Sequence, residues 1–329
     1  MSYVFECVSH ADALKRSEDT EVWVVDQMIG SHTTLIYGEA KVGKSFLVSA
    51  LVASLTTGSD FLNRQVPQDR DFNVAVCWTD DAGEAEYSSR IQSVIPEGDE
   101  PKVSYYQLPI MRTLDHWQAL FDQVMSNGQN FIVIDNLAQC LDGSINEDAI
   151  VRRFFEGVRL FTRAGIPVVV VAHSSDKAGP NGYKPETPLG SAYITQAVRW
   201  RVFARRSKRG NVTLKFMGNH AEPYEMTLYH GAGARFDVLD VKSADALKAQ
   251  AEGNERARSR QTLDDNLAVA RWLVANGKGD SKRADIQAYV DAHPGSKFET
   301  VKSKVSRGSI PVEHVDGRWR LTDQAASLS

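Results

Sequence analysis

The chain has 329 residues, of which 42% are hydrophobic and 24% are charged, and its formal net charge at pH 7 is −4. This composition is typical of a globular protein in water, and no apolar run reaches the roughly 18 residues that a membrane span requires. The N-terminal segment lacks a basic stretch followed by an apolar one, and the 3 cysteines are widely spaced. We therefore expect a cytoplasmic protein without a secretory leader, a disulfide framework or a zinc site.

The charge is distributed unevenly along the chain. Residues 241–329 contain 15 Lys and Arg against 12 Asp and Glu, a balance of +3, and the preceding residues have a balance of −7. A basic tail on an acidic body favours an anionic partner, although many solvated surfaces have the same pattern.

Short apolar runs alternate with helical patterns from Thr33 to about Asp176. The runs are continuously apolar, as expected for parallel strands that are covered on both faces. The predicted strands are residues 33–38, 73–79, 102–108, 131–137 and 167–174. This alternation predicts an α/β fold with a doubly wound parallel sheet, and residues 1–32 are expected to form a small N-terminal adapter.

The pattern changes after the predicted parallel strands. Residues 200–240 contain strand-like segments separated by glycine or asparagine, which predict an antiparallel extension of the sheet. We expect a main domain over residues 1–242 and a polar, alanine-rich linker over residues 243–262. Residues 263–329 then show three helical patterns and a hairpin that turns at Asp316, which is typical of a small winged-helix domain.

A phosphate-binding motif lies between the first predicted core strand and the helix after it. The residues that match G-x-x-x-x-G-K-[ST] and its intervening positions are Gly38, Glu39, Ala40, Lys41, Val42, Gly43, Lys44 and Ser45. Glycines let the backbone wrap closely around phosphate oxygens, and the helix N-terminus adds positive potential. In such a loop Lys44 reaches the β- and γ-phosphates and the Ser45 hydroxyl ligates Mg²⁺. The sequence therefore predicts a P-loop that binds ATP with Mg²⁺.

Acidic residues after two other predicted strands are candidates for the rest of a hydrolytic site. Asp135 ends an apolar run, the position at which P-loop nucleoside triphosphatases hold an Mg²⁺-binding carboxylate. Hydrolysis also needs a group that activates or orients water. The segment after residues 73–79 offers four carboxylates for this role, namely Asp80, Asp81, Glu84 and Glu86.

With these motifs in order, roughly residues 22–240 resemble the RecA-like ATPases, and specifically the RepA-type and DnaB-like hexameric helicases of plasmids and phages. The resemblance implies a RecA-like fold and a catalytic acid about nine residues before an arginine. Arg90 matches that arginine and so assigns the base to Asp81, where the family normally has glutamate. His173, at the end of the strand "PVVVVAHS", matches the family's γ-phosphate sensor.

The same resemblance implies an active site that is completed by a neighbouring subunit. The segment "LGSAYITQAVRW" resembles the family's R-G-S…R-W segment, with Leu189 in place of its first arginine. Arg199 is then the finger that reaches the neighbour's γ-phosphate and stabilises the transition state. Met217 stands where the family's Lys-x-Asn segment has its lysine, and Lys215 is two residues away. Should the register differ, the alternative fingers are Arg201, Arg205 and Arg206.

Two groups of basic residues are candidates for DNA contacts. Lys177 and Lys184 lie in the glycine- and proline-rich loop 176–190, which could line a channel for single-stranded DNA. The last predicted helix and the hairpin carry a second group, typical of a recognition helix with a basic wing. That group consists of Lys297, Lys302, Lys304, Arg307, Arg318 and Arg320. The alternatives are an ordinary surface loop and a winged helix that contacts a protein, such as a primase or an initiator.

These observations predict an ATP-hydrolysing, DNA-associated motor of the RepA-like helicase class, active as a hexameric ring or a filament. One alternative is a RecA-like recombination mediator or DNA-binding regulator that hydrolyses ATP without unwinding DNA. A P-loop kinase for a small molecule is a third class, but the sequence offers no separate lid or substrate domain for it.

Overall fold

The computed structural model describes residues 7–18, 20–175, 186–278 and 281–322. The chain divides into two compact units, Met1–Ala244 and Asp245–Ser329. Within the described ranges, no helix is both long and apolar enough to cross a membrane.

The elements of the first unit alternate between strands and helices, as the sequence predicts. In chain order they are α1 (His10–Glu18), β1 (Trp23–Val25), β2 (Ile29–Gly30), β3 (Thr33–Gly38), α2 (Lys44–Thr57), β4 (Val74–Trp78), α3 (Gly83–Gln92), β5 (Val103–Gln107), α4 (Leu114–Ser126), β6 (Phe131–Asp135), α5 (Leu137–Cys140), α6 (Asp148–Arg163), β7 (Val168–His173), α7 (Tyr193–Ala197), β8 (Trp200–Arg206), β9 (Val212–Gly218), β10 (Tyr224–His230) and β11 (Phe236–Lys242).

Nine strands of the described residues form one sheet, in the order β11-β10-β9-β8-β3-β7-β6-β4-β5. The strands from β8 to β5 in this order are all parallel to their neighbours. Strands β9, β10 and β11 continue the sheet from β8 in antiparallel hairpins. The mixed α/β sheet with an antiparallel extension is therefore confirmed, and it fits a RecA-like or AAA fold.

The continuous apolar runs of the parallel strands arise because both faces of the sheet are buried. Ile36 of β3 belongs to one hydrophobic core, and its neighbours Leu35 and Tyr37 belong to the core on the opposite face. Strand β6 alternates in the same way, with Val133 in the first core and Ile134 in the second. Side chains alternate between the faces of a strand, so a sheet covered on both sides selects apolar residues at every position.

The segment before the first parallel strand packs on the sheet. Strands β1 and β2 pair antiparallel, and Val25 at the end of β1 and Met28 in the turn before β2 are fully buried. The Trp200 indole donates a hydrogen bond to the Met28 carbonyl oxygen over 3.1 Å, and its ring lies 4.7 Å from the Trp23 ring.

The second unit contains helices and one hairpin. Its elements are α8 (Ala244–Asn276), which begins at the unit boundary, α9 (Lys282–Ala292), α10 (Phe298–Ser306), β12 (Val312–Val315) and β13 (Arg318–Leu321). The hairpin turns at Asp316 and Gly317, both in the left-handed region with φ of 49° and 75°, as the sequence predicts.

Helix α8 begins earlier than the sequence predicts. Residues 244–262, expected as a linker, are its first turns, and none of their side chains is buried. Burial starts at Asn266 and continues with Val269, Ala270 and Leu273. The early turns are rich in Ala, Glu, Arg and Gln, which have high helix propensity, but they are polar on every side. A helix without an apolar stripe gives no periodic signal in the sequence.

A small core holds the hairpin of the second unit to its helices. Leu273, Ile286, Val301 and Trp319 are among its buried members. The Trp319 indole donates to Asp285 Oδ2 over 2.7 Å, and the backbone N–H of Lys278 donates to Asp285 Oδ1 over 2.9 Å. Asp285 is only 4% exposed, so these donors compensate a carboxylate that has lost most of its hydration.

Candidate active site

The glycine motif forms a tight loop between β3 and α2. Lys41 and Gly43 have φ of 61° and 105°, in the left-handed region that glycine tolerates best. At Gly38 an added Cβ would lie 2.1 Å from the Ala204 carbonyl oxygen of β8, so only glycine allows the two strands to approach this closely. Helix α2 begins at Lys44, which places its free N–H groups at the loop, as phosphate binding requires.

Lys44 is held over the loop by backbone oxygens. Its Nζ donates to the carbonyl oxygens of Gly38 and Glu39, over 3.1 and 2.9 Å. His173 Nδ1, at the end of β7, lies 3.5 Å from the same Nζ. Parallel pairing places His173 directly beside Gly38. The structure therefore brings the predicted sensor histidine next to the P-loop lysine.

Asp135 is the centre of a hydrogen-bond cluster at the end of β6. The Ser45 hydroxyl donates to its Oδ2 over 2.7 Å, and the Tyr87 hydroxyl donates to the same oxygen over 2.6 Å. Tyr87 lies on α3 and is 3% exposed. Burial, and after it the charge of Asp135, raise the pKa of Tyr87 well above its ordinary value, so the phenol keeps its proton and acts as a donor.

The donors in this cluster fit Mg²⁺. Ser45 and Asp135 both offer oxygen atoms, the ligand type that Mg²⁺ prefers. In phosphate-binding sites Mg²⁺ retains waters and uses one or two protein oxygens together with the substrate phosphates. The Ser45 oxygen can coordinate through a lone pair while its O–H still donates to Asp135, so the observed hydrogen bond is compatible with metal binding.

A cavity of about 300 Å³ opens beside this cluster. Its lining residues are Lys41, Gly43, Lys44, Ser45, Phe46, Asp80, Arg90, Asp135, Asn136, His173, Arg206 and His230. Four of them are Lys or Arg, which gives the cavity the positive charge that a triphosphate needs.

The acidic loop after β4 presents Asp80, rather than Asp81, to the cavity. Both residues are exposed, but Asp81 is not among the lining residues. Of the other two candidates, Glu86 forms an ion pair with Arg90, and Glu84 is exposed and outside the lining. The loop turns at Ala82, whose φ is 59°. Which of the two adjacent aspartates lies at the cavity depends on the path of this loop, and residue types alone do not reveal it.

One wall of the cavity is built from flat side chains that the sequence analysis did not assign. The Arg90 guanidinium lies 4.3 Å from the centre of the Phe46 ring. The His230 ring lies 5.0 Å from the Phe46 ring and stacks on Phe236 at 4.4 Å. Such surfaces stack on the π-face of a nucleobase. Of these residues, the sequence analysis named only Arg90, and it used that arginine only to assign the catalytic base to Asp81.

The arginines around β8 lie at opposite ends of that strand. Arg206 ends β8 beside the P-loop and lines the cavity, whereas Arg199 precedes β8 and is exposed. At about 3.3 Å per residue the two lie roughly 20 Å apart, so Arg199 cannot reach the phosphate site of its own chain. Two other basic residues here form ion pairs, Lys215 with Glu186 and Arg205 with Glu186 and Glu225.

The basic residues that were predicted to contact DNA differ in their exposure to solvent. Lys177 and Lys184 lie outside the described residues. The basic residues of the second unit that are exposed are Lys297, Lys302, Arg307, Arg318 and Arg320. Lys304 is partly buried and donates to Asn266 Oδ1 over 3.0 Å, which leaves it less available for a phosphate.

Comparison with known proteins identifies a family for the region that holds the phosphate site. The AAA domain family matches residues 5–179, which are 175 of the 329 residues. This region includes the P-loop, Asp80, Asp135 and His173, and it ends before Arg206 and His230. No curated protein matches the chain.

Proposed function

The chain belongs to the AAA domain family, which implies ATP binding, and we propose that it is an ATP-hydrolysing, DNA-associated motor of the RepA-like helicase class. The main support for ATP hydrolysis is the hydrogen-bond cluster around Asp135. Ser45 of the P-loop donates to Asp135 over 2.7 Å, beside the buried ammonium of Lys44. Few uses other than a metal-bound phosphate would require a lysine, a hydroxyl and a carboxylate at one helix N-terminus.

Each residue of this cluster has a role toward ATP. The loop N–H groups and Lys44 hold the β- and γ-phosphates, and Ser45 and Asp135 hold Mg²⁺. When bound, Mg²⁺ neutralises charge on the phosphates. His173, 3.5 Å from Lys44 Nζ, senses the γ-phosphate.

The attacking water is oriented by a carboxylate of the acidic loop. Asp80 lines the cavity, which supports it as that group, and the resemblance to the helicases supports Asp81. A general base must lie within hydrogen-bond distance of the water, directly or through one further water. We therefore propose Asp80 first and retain Asp81 as the alternative.

The flat wall of the cavity accommodates the nucleobase of ATP. Phe46 and His230 provide aromatic surfaces, and the guanidinium of Arg90 adds a planar cation 4.3 Å from the Phe46 ring. Arg206 lines the same cavity and contributes a further positive charge. Stacking of this kind tolerates several bases because each has a π-face.

Self-assembly completes the site. Arg199 is exposed and lies at the far end of β8 from its own P-loop. A transition-state role is therefore open to it only toward another chain. We propose a hexameric ring or a filament, in which Arg199 acts as the arginine finger of the neighbour.

The second unit supplies a DNA contact. Its three helices and hairpin are consistent with a winged helix, and five of its six candidate basic residues are exposed. These charges would bind phosphates with little sequence preference. The loop of Lys177 and Lys184 would hold single-stranded DNA in the ring. A primase or an initiator is the alternative partner of the second unit.

Strand displacement on a forked duplex tests the proposal. A helicase displaces the strand with ATP and not with a non-hydrolysable analogue. A recombination mediator or DNA-binding regulator hydrolyses ATP in the presence of DNA and leaves the fork intact. A small-molecule kinase shows no effect of DNA on its ATP consumption.

A further inference from the structure

The Tyr87 hydroxyl contacts the carboxylate that the proposed function assigns to the metal. It donates to Asp135 Oδ2 over 2.6 Å, the same oxygen that accepts from Ser45 over 2.7 Å. Two donors on one oxygen fix the orientation of a carboxylate and leave Oδ1 for other ligands. Outer partners of this type orient metal ligands in many sites.

Helix α3, which carries Tyr87, starts at the end of β4, the strand that pairs with β6 at Trp78 and Asp135. An added Cβ at Gly83, the first residue of α3, would lie 2.1 Å from Trp78 Cδ1. The helix therefore starts in direct contact with the end of β4. Arg90, three residues after Tyr87, lies one turn further along and packs on Phe46 at 4.3 Å. One helix thus positions both the hydroxyl on Asp135 and an arginine of the cavity wall.

We infer that Tyr87 is a positioning residue for metal binding, whose hydroxyl holds the Asp135 carboxylate in the orientation that Mg²⁺–ATP requires. This inference rests on the proposed ATPase function. Tyr87 acts through Asp135, because its hydroxyl is already engaged at 2.6 Å and its side chain is buried.

A purely structural role is the competing explanation, since Tyr87 is also a member of a hydrophobic core. The structural role and the positioning role belong to different parts of the Tyr87 side chain. The ring provides the packing, and the hydroxyl provides the contact with Asp135. Tyr87→Phe keeps the ring and removes only the hydroxyl.

Tyr224 offers a matched control. It belongs to the same core, is 6% exposed, and donates its hydroxyl to the Gln27 carbonyl oxygen over 3.0 Å. It is not among the residues that line the cavity. Tyr224→Phe therefore removes an equivalent buried hydrogen bond without touching Asp135.

The test is a Mg²⁺ titration of the binding of a fluorescent ATP analogue to the full chain. The Mg²⁺ midpoint is the Mg²⁺ concentration that gives half of the maximal increase in analogue binding. For Tyr87→Phe we expect this midpoint to rise about tenfold, since loss of an outer partner costs about 10–100-fold in metal affinity. Nucleotide affinity in EDTA should stay at the parent value, because the P-loop is intact. Tyr224→Phe should keep the parent Mg²⁺ midpoint, and thermal unfolding should show similar losses for both variants.

Two results would overturn the inference while leaving the proposed function in place. One is a parent chain that hydrolyses Mg²⁺–ATP together with a Tyr87→Phe variant whose Mg²⁺ midpoint is unchanged. The other is an equal shift of the midpoint in both variants. A parent chain that does not hydrolyse ATP would contradict the proposed function itself, and the inference would fail with it.

Discussion

The hydroxyl of Ser45 donates a hydrogen bond of 2.7 Å to Oδ2 of Asp135, across 90 positions of sequence. The contact joins the first turn of α2 to the end of β6. It forms because β3, which leads into α2, and β6 both flank β7 in the parallel sheet, with their carboxyl ends at one edge.

Ser45→Ala removes both the proposed metal oxygen and the donor to Asp135. We expect the Mg²⁺ requirement of nucleotide binding to rise roughly 10–100-fold. Ser45→Thr is the matched control, because threonine keeps the hydroxyl and is accepted at this position of the motif. Mg²⁺ titrations that gave the same midpoint for the alanine and threonine variants would remove Ser45 from the metal site.

Lys44→Ala should abolish hydrolysis and weaken nucleotide binding while the fold survives. The Lys44 ammonium contacts the loop carbonyl oxygens of Gly38 and Glu39, so its loss leaves the packing of the cores intact. Steady-state ATPase and nucleotide affinity measure the effect, and thermal unfolding checks the fold. Hydrolysis at the parent rate would show that the phosphates bind elsewhere.

Asp80→Asn should lower the rate of hydrolysis by a factor of about 10²–10⁴, the usual contribution of a general base. Nucleotide affinity should change little, because the P-loop contacts remain. Asp81→Asn is the control, since its carboxylate does not line the cavity. If single-turnover hydrolysis is lost with Asp81→Asn and retained with Asp80→Asn, the assignment from the helicase resemblance is right and the one from the cavity is wrong.

Arg199→Ala should lose a factor of about 10³–10⁵ in hydrolysis, with a much smaller loss of nucleotide affinity. A mixture with Lys44→Ala should recover part of the activity, because some interfaces then pair an intact P-loop with an intact arginine. The ATPase rate of the co-assembled mixture is compared with each variant alone. If mixed oligomers are shown to form and no activity is recovered, the result argues against a trans-acting Arg199. Arg201, Arg205 or Arg206, or a site complete within one chain, would then remain, and of these arginines Arg206 lines the cavity.

Charge reversal on the second unit should weaken DNA binding. Lys302→Glu combined with Arg307→Glu places negative charge on exposed positions of α10 and its C-cap. Arg258→Glu with Arg260→Glu changes the same charge on the exposed part of α8 and is the control. Affinities for single-stranded DNA at one fixed salt concentration measure the difference. Equal affinities for the two double variants would favour a protein partner for this surface.

The sequence predicted those parts of the fold and the site that depend on local patterns. The parallel strands were recognisable because burial on both faces makes each strand continuously apolar. Asp135 was recognisable because a carboxylate ends such a run, and the P-loop because its spacing is strict.

Features that depend on distant elements were not predicted. Phe46 and His230 meet only because the order β10-β9-β8-β3 brings the end of β10 to the P-loop. Tyr87 is one aromatic residue in an ordinary helical pattern, and nothing local marks its contact with Asp135. The early start of helix α8 was not predicted, because its polar first turns carry no apolar stripe and so no periodic signal.

The most direct test of the central claim is the steady-state ATPase rate of the full chain with and without single-stranded DNA. A DNA-associated motor should hydrolyse Mg²⁺–ATP, and saturating DNA should raise the rate severalfold at a stated salt concentration. Lys44→Ala should be inactive in both conditions. A chain without ATPase activity, or one whose rate is the same with and without DNA, would contradict the account.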